Sequence, residues 1–202
     1  DDEEEYSIDV IQPEKIEFKQ NSYEDGENSI ISFPEFLLLV LDVCTGGEQP
    51  ASHYQPDKLI EKFDALKTYF TAGEFYEKML YYRLLLDYYT IRRDIKDGQG
   101  NYSLILKGPK DDSDKLKQYQ SMLYVSTEAF YNWLKPYLRK LEQDELHSCA
   151  EMLAFLKKED NERHSILPAR KDLSYKASGN IRYWFWRLDY YLWEQRSTFF
   201  NE

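Results

Sequence analysis

The sequence contains few residues that interrupt regular structure and few that build special scaffolds. Only 8 Gly and 7 Pro occur among 202 residues, and two cysteines, Cys44 and Cys149, are too few for a disulfide scaffold. The longest apolar run, Phe36–Leu41, is far shorter than the roughly 20 residues of a membrane-spanning helix. These shortages exclude a disulfide-rich or transmembrane protein. They favour a helical, cytoplasmic protein with reduced thiols and no membrane partner.

Signatures of catalysis and of cofactor binding are missing as well. The sequence has no GxxxxGK phosphate loop, no GxGxxG dinucleotide fingerprint and no GxSxG nucleophile elbow. Its three histidines, His53, His147 and His164, are far apart and lack the spacing of metal ligands. We therefore predict no catalytic residue, no cofactor and no metal ion in this chain.

The negative charge is concentrated near the N-terminus. The net charge of the chain is −11, and residues 1–35 carry twelve acidic side chains against Lys15 and Lys19. A charge run of this kind is usually solvated. We expect residues 1–28 to form an acidic leader, extended or disordered, and residues 29–202 to form a helical domain. Because the chain begins with Asp, we also expect it to be a fragment of a larger protein.

Helix signals dominate the rest of the chain. Ser32 and Thr71 each precede a Glu by three residues, the spacing of an N-terminal capping box, and Gly46 and Gly47 predict the end of the first helix. The helix after Thr71 is predicted to run to about Ile95, with a buried stripe that Leu80 and Leu84 broaden. Further helices are predicted from about Pro56, Ser113, Ser126 and Glu145, with a break at Pro136 and a short strand-like piece at 102–106. The predicted fold class is all-α: an irregular bundle of about seven helices with a partly extended leader.

The most unusual segment is IRYWFWRLDYYLW at 181–193, which holds seven aromatic residues in thirteen positions. One face of this helix is predicted to pack against the core, and further aromatic residues cover its opposite side. A helix that is apolar nearly all round needs a second buried side or a partner. The predicted core face comprises Ile181, Trp184, Phe185, Leu188 and Leu192; the predicted interface residues are Tyr183, Trp186, Arg187, Tyr190 and Trp193.

Arginines alternate with aromatic residues here, and this pattern is also typical of nucleic-acid binding. Stacking on bases combined with contacts to phosphates uses these side chains. The basic excess is small, whereas phosphate binding needs several clustered cations, so packing is the favoured interpretation. The candidates for nucleic-acid contact are Arg163, Arg170, Lys171 and Arg182.

Several phrases together resemble the helical region of the GmrSD-type restriction proteins, which are modification-dependent (type IV) bacterial defence endonucleases. In order, they are ISFPEFLLLVLDV, KLIEKF, EFYEKMLYYRLLLDYYTIRRD, LKQYQSMLYVS and IRYWFWRLDYYLWE, within about residues 28–198. The family joins an N-terminal ParB/sulfiredoxin-like nucleotide-hydrolysing domain to a C-terminal His-Asn-His nuclease domain. Its nucleotide motif, Asp-Gly-Gln-Gln-Arg, is not matched by Asp97-Gly98-Gln99-Gly100, so no catalytic residue is carried over.

The resemblance implies a non-catalytic middle or linker domain in a bacterial phage-defence protein. Such a domain would orient the nucleotide-hydrolysing and DNA-cleaving domains, and the parent protein would be an NTP-dependent endonuclease that contacts DNA. The alternative is a stand-alone helical module that binds DNA or a protein partner through its aromatic C-terminal helix. A third possibility is an all-α enzyme with a deep pocket lined by several Asp or Glu residues. The sequence does not predict an oligomeric state.

Overall fold

The computed structural model describes residues 26–95, 101–109, 113–126, 128–166 and 181–200. Within these ranges the chain is mainly helical, as predicted, and it also contains a small antiparallel sheet. The predicted leader lies outside the described residues except for its last three. The helices are α1 Phe33–Cys44, α2 Leu59–Leu66, α3 Ala72–Tyr89, α4 Ser113–Val125, α5 Phe130–Glu142, α6 Cys149–Arg163, α7 Ile181–Glu194 and α8 Arg196–Phe200; the strands are β1 Gly26–Ser29, β2 Ile91–Ile95 and β3 Tyr102–Leu106.

Both predicted capping boxes are present. The Ser32 hydroxyl accepts from the Glu35 amide at 3.4 Å, and the Glu35 carboxylate accepts from the Ser32 amide at 2.7 Å. The Thr71 box at the start of α3 has the same geometry. The α1 helix ends where predicted, because Gly46 and Gly47 adopt positive φ angles of 104° and 80°.

Two predicted boundaries are wrong. The helix expected from Glu145 begins only at Cys149, where Ser148 forms a third capping box, and it runs on to Arg163. The helix expected at Ser126 begins at Phe130 and is continuous through Pro136, so the chain is not split there.

The long helix predicted to reach Ile95 instead ends at Tyr89. Residues 91–95 form the central strand of the sheet, pairing with β1 on one side and with β3 on the other. Ser29 lies opposite Arg92, and its carbonyl accepts from the Arg93 guanidinium at 2.9 Å. Since β1 is more than sixty residues away in sequence, local periodicity carries no signal of this pairing.

The α1 helix occupies the centre of the bundle. Its side chains from Leu38 to Asp42 are completely buried, and it packs against α2 and α3. An apolar run without a polar side suits a helix with neighbours all round. Large aromatic residues of the other helices complete the core: Tyr82, Tyr119, Trp133, Tyr137 and Tyr183.

One acidic residue of α1 is buried with this core. Asp42 accepts hydrogen bonds from the Tyr54 hydroxyl, from Lys135 Nζ at 2.9 Å and from the Gln49 amide at 2.8 Å. Lys135 also donates to the carbonyl of Gly47 at 3.2 Å. A buried carboxylate is tolerated only with such partners. Asp42 therefore attaches α5 and the loop after α1 to the central helix.

The same loop buries a histidine. His53 is 1% exposed, and its Nε2 donates to the Leu38 carbonyl, with 2.8 Å between the two atoms. Its Nδ1 is buried and has no hydrogen-bond partner. Burial lowers the pKa of His53, although the hydrogen bond to Leu38 and the charge of Asp42 oppose this effect. The folded chain therefore holds the neutral imidazole.

This burial predicts a loss of stability in mild acid. Below a pH of about 6.5 the unfolded chain binds a proton at His53 more readily than the folded chain, so stability is lost as the pH falls toward the lowered pKa. A His53→Gln variant keeps a donor for Leu38 but does not titrate. Between pH 7 and pH 5.5, urea unfolding should show wild-type stability falling relative to the variant by up to about 1.4 kcal/mol per pH unit. Parallel pH dependence in the two proteins would contradict the assignment.

Candidate functional site

The orientation of α7 about its own axis differs from the predicted one, although Trp184 of the predicted core face does pack against the core. Tyr183 and Tyr190 are buried, at 0% and 4% exposure, whereas Phe185, Leu188 and Leu192 are 41%, 51% and 47% exposed. Because each residue turns a helix by about 100°, the two sets lie on nearly opposite sides of α7. The predicted core face is therefore wrong for these three residues. Phe185, Leu188 and Leu192 instead form what we call the α7 outer face.

A buried carboxylate beneath α7 explains this orientation. Asp160, on α6, has no exposed surface, and its Oδ2 accepts from the hydroxyls of Tyr119 at 2.7 Å and Tyr183 at 2.8 Å. Nη1 of Arg187 lies 3.7 Å from the same oxygen and donates to the Tyr183 hydroxyl at 2.7 Å. We call these four residues the Asp160 cluster. An unpartnered buried carboxylate would cost several kcal/mol, so Tyr183 and Arg187 are held facing inward.

The two phenols of the Asp160 cluster are fixed as hydrogen-bond donors. Burial raises the pKa of Tyr119 and of Tyr183, and the negative charge of Asp160 raises both further. The Arg187 guanidinium lies over aromatic rings, 5.4 Å from the centroid of Trp184 and 5.7 Å from that of Tyr191. Cation–π attraction of this kind stabilises a partly desolvated guanidinium. The arginine is therefore held on one side by a carboxylate and on the other by rings.

A second group of polar side chains adjoins the Asp160 cluster. Nε2 of His164 lies 3.5 Å from Oε2 of Glu128 and 3.9 Å from Oδ1 of Asp160, and its ring stacks on Tyr183 with centroids 4.0 Å apart. Arg163 Nε lies 3.9 Å from Glu128 Oε1, and its guanidinium donates to a backbone carbonyl of α5. The separations between these side chains exceed those of direct N–H···O bonds, so His164 and Arg163 lie close to Glu128 without being hydrogen-bonded to it.

The C-terminal half of α7 has its own attachment. Lys157 Nζ of α6 lies 2.6 Å from Glu194 Oε1, which also accepts from the Tyr190 hydroxyl at 3.0 Å. The Tyr190 ring meets Tyr119 edge-on, with centroids 4.9 Å apart. The helix is thus attached to α4 and α6 at two points about two turns apart, Tyr183 and Tyr190.

The predicted interface residues are divided between the two sides of α7. Tyr183, Arg187 and Tyr190 contact the chain's own core, and the Arg187 side chain is 12% exposed. Trp186 is 39% exposed, and Trp193 is half-buried. These two tryptophans line a cavity of about 250 Å³ between α4 and α7, together with Met122 and Val125.

The predicted nucleic-acid contacts do not form a described cluster. The Arg163 guanidinium is engaged by Glu128 and a backbone carbonyl, and Arg182 is exposed on α7. Arg170 and Lys171 lie outside the described residues. The described arginines therefore give no continuous row of free cations of the kind that phosphate binding requires.

The described residues also bear on metal binding, on membrane insertion and on catalysis by acidic side chains. They contain no group of three or more His, Cys, Asp or Glu side chains placed to bind a metal ion, and none of their helices has the length and apolarity to cross a bilayer. The two completely buried carboxylates, Asp42 and Asp160, have no surface that a substrate can reach. In this conformation both have a role in packing the helices.

Sequence reasoning missed the Asp160 cluster, although a weak signal for it exists. Cys149, Met152 and Leu156 are buried at helical spacing along α6, and Asp160 comes one turn later on the same side. A charged residue that continues an apolar stripe is a candidate for a buried, compensated charge.

The Asp160 cluster predicts a strong effect of a nearly isosteric substitution. Asp160→Asn removes the charge that compensates Arg187 and places an amide where two hydroxyl donors converge, so the free energy of unfolding should fall by about 2–4 kcal/mol. Glu162→Gln on the same helix is the matched control. Its side chain is 63% exposed, and it should change stability by less than about 1 kcal/mol. Urea titrations measure both free energies, and equal effects would argue against a stabilising role of the Asp160 cluster.

Comparison with known proteins does not assign a function to this site. The chain matches no protein-family model, no curated protein and no solved structure. A function is therefore proposed from the resemblance of its sequence phrases and from its own surfaces and clusters.

Proposed function

We propose that this chain is a non-catalytic helical middle domain of a bacterial modification-dependent restriction protein, and that it orients nucleotide-hydrolysing and DNA-cleaving domains. The ordered phrases that resemble the GmrSD-type proteins support the family. The observation that supports the scaffolding role is the α7 outer face, where Phe185, Leu188 and Leu192 are 41–51% exposed. Exposed apolar side chains on adjacent turns are typical of a surface that another domain covers.

The inner side of α7 suits this role because its contacts hold the helix in one position on the bundle. Tyr183 and Arg187 are tied to Asp160, and Glu194 is tied to Lys157. A domain that docks on the outer face would therefore be held at a defined angle to the helical bundle. Helices with such attachments transmit orientation, whereas flexible linkers do not.

In this proposal the chemistry belongs to the flanking domains. The parent protein is an NTP-dependent endonuclease acting in phage defence, and it contacts DNA through those domains. The helical chain contributes neither nucleotide-binding nor metal-binding residues. Purified alone, it should neither hydrolyse nucleotide nor cut DNA when metal is added.

The alternative, DNA binding through α7 itself, requires accessible cations. The Arg187 side chain is 12% exposed, whereas Arg182 and Arg196 are exposed, with the Arg196 guanidinium 4.5 Å from the ring centroid of Trp193. Two exposed arginines fourteen residues apart fall short of the clustered cations that phosphate binding needs. A gel-shift titration with modified and unmodified duplexes at two salt concentrations separates the two functions. We expect no binding by the 202-residue chain at low salt; tight, salt-sensitive binding would support the alternative.

The docking role predicts that substitutions on the α7 outer face impair activity, whereas a similar substitution elsewhere on the surface does not. In the parent protein of this proposal, Leu188→Glu combined with Leu192→Glu should lower nucleotide-dependent cleavage of modified DNA about tenfold or more, as expected when about 1.4 kcal/mol of docking energy is lost. Ile60→Glu, at a 74% exposed position on α2, is the matched control and should retain activity. Circular dichroism of the isolated chains checks that both variants fold. Full activity of the double variant would overturn the proposed docking.

A further inference from the structure

The α3 helix exposes a second apolar surface on the side away from the core. Tyr76, Leu80, Leu84 and Tyr88 are 62%, 62%, 68% and 49% exposed, and they follow one another at intervals of four residues. We call them the α3 row. Leu80 and Leu84 were expected to broaden the buried stripe, and that prediction is wrong. The buried positions of α3 are Phe75, Tyr82, Leu85 and Leu86.

The order of residues in the α3 row is the same in both directions: Tyr, Leu, Leu, Tyr. We propose that this row is the contact surface for a second copy of this chain, with the two α3 helices antiparallel across a twofold axis at the level of Tyr82. In this arrangement Leu80 of each copy lies beside Leu84 of the other, and Tyr76 lies beside Tyr88. A twofold interface must be self-complementary, and a palindromic row of side chains satisfies this condition.

Helix geometry allows two such rows to pack against each other, with the closest approach at Leu80 and Leu84. Residues four apart form a ridge inclined to the helix axis, and two such ridges pack side by side when helices cross at about −50°. Beneath the row, Tyr82 is completely buried and donates from its hydroxyl to Glu142 Oε2 at 2.6 Å. Lys78 is paired with the same carboxylate. The outer row is therefore presented by a helix that is firmly attached to α5.

The charges beside the α3 row are compatible with this arrangement. Around the twofold axis, Glu77 of one copy comes level with Asp87 of the other. Asp87 is already paired, since Arg83 Nε lies 2.8 Å and Arg92 Nη1 lies 3.8 Å from its carboxylate. At each end of the proposed contact, the carboxylates of Glu77 and Asp87 are thus accompanied by two cations, Arg83 and Arg92. No charged residue lies within the row itself.

The size of the surface also suits a modest dimer. With Tyr81, which is 43% exposed beside the row, the exposed side chains amount to roughly 600 Å² per copy if a full side chain presents about 200 Å². Stable interfaces bury about 800 Å² per partner. The surface next to Tyr76 supplies the remaining area. Tyr76 borders an apolar groove of about 550 Å³ that is lined by Phe33 and Phe63 among others. We expect a dissociation constant in the micromolar range.

Sedimentation equilibrium of the 202-residue chain, from about 1 to 100 µM, tests the dimer. The wild-type protein should change from monomer to dimer over this range, and Leu80→Glu with Leu84→Glu should remain monomeric with unchanged helicity. Ile60→Glu is the control for an added charge at an exposed apolar position and should dimerise like the wild type. A wild-type chain that is monomeric at the highest concentration, or a double variant that still dimerises, would overturn the proposal.

The antiparallel register has a separate test that leaves most of the surface intact. In a Cys44→Ser background, single Leu80→Cys and Leu84→Cys chains are mixed and treated with a short bis-maleimide. The mixture should give cross-linked dimers joining positions 80 and 84 in greater yield than either chain alone, as identified by peptide mass spectrometry. Preferential cross-linking of each chain with itself would indicate a parallel contact and would contradict the twofold arrangement.

Discussion

The Asp160 carboxylate is the point on which the second half of the structure depends. It is completely buried at the junction of α4, α6 and α7, and each of these helices supplies part of its environment. Tyr119 and Tyr183 donate to the same oxygen, and Arg187 balances its charge. A buried charge tolerates little displacement of its donors, because each lost partner leaves a polar atom unsatisfied in a medium of low dielectric.

This requirement determines which side of α7 is exposed. Apolar spacing alone would bury Phe185, Leu188 and Leu192, which would turn Tyr183 and Arg187 into solvent and leave Asp160 uncompensated. Burying three apolar side chains gains about 1.5–3 kcal/mol each, but the tyrosines that replace them also bury large rings. The net apolar gain from turning the helix is therefore small, while the electrostatic loss is several kcal/mol. The polar contacts decide the orientation.

The parts of the fold that follow from local sequence were predictable, and the parts that depend on distant partners were not. Ser32 and Thr71 begin helices because a Glu three residues later completes each cap, and this signal lies within four residues. Ile91–Ile95 is a strand because β1 and β3 pair with it from both sides. The burial of Asp160 likewise depends on Tyr119, forty-one residues before it, and on Tyr183, twenty-three after it. A window of helical length contains none of these partners.

The chemistry of the two exposed apolar surfaces suggests different occupants. The α7 outer face consists of Phe185, Leu188 and Leu192, which have no polar atom to contact water, so continuous cover by a flanking domain suits it. The α3 row ends in Tyr76 and Tyr88, whose hydroxyls can remain hydrated while the rings bury on contact. Tyrosine is enriched at protein interfaces for this reason, and reversible interfaces are less apolar than permanent ones. A weak contact between copies therefore fits α3, and a lasting contact between domains fits α7.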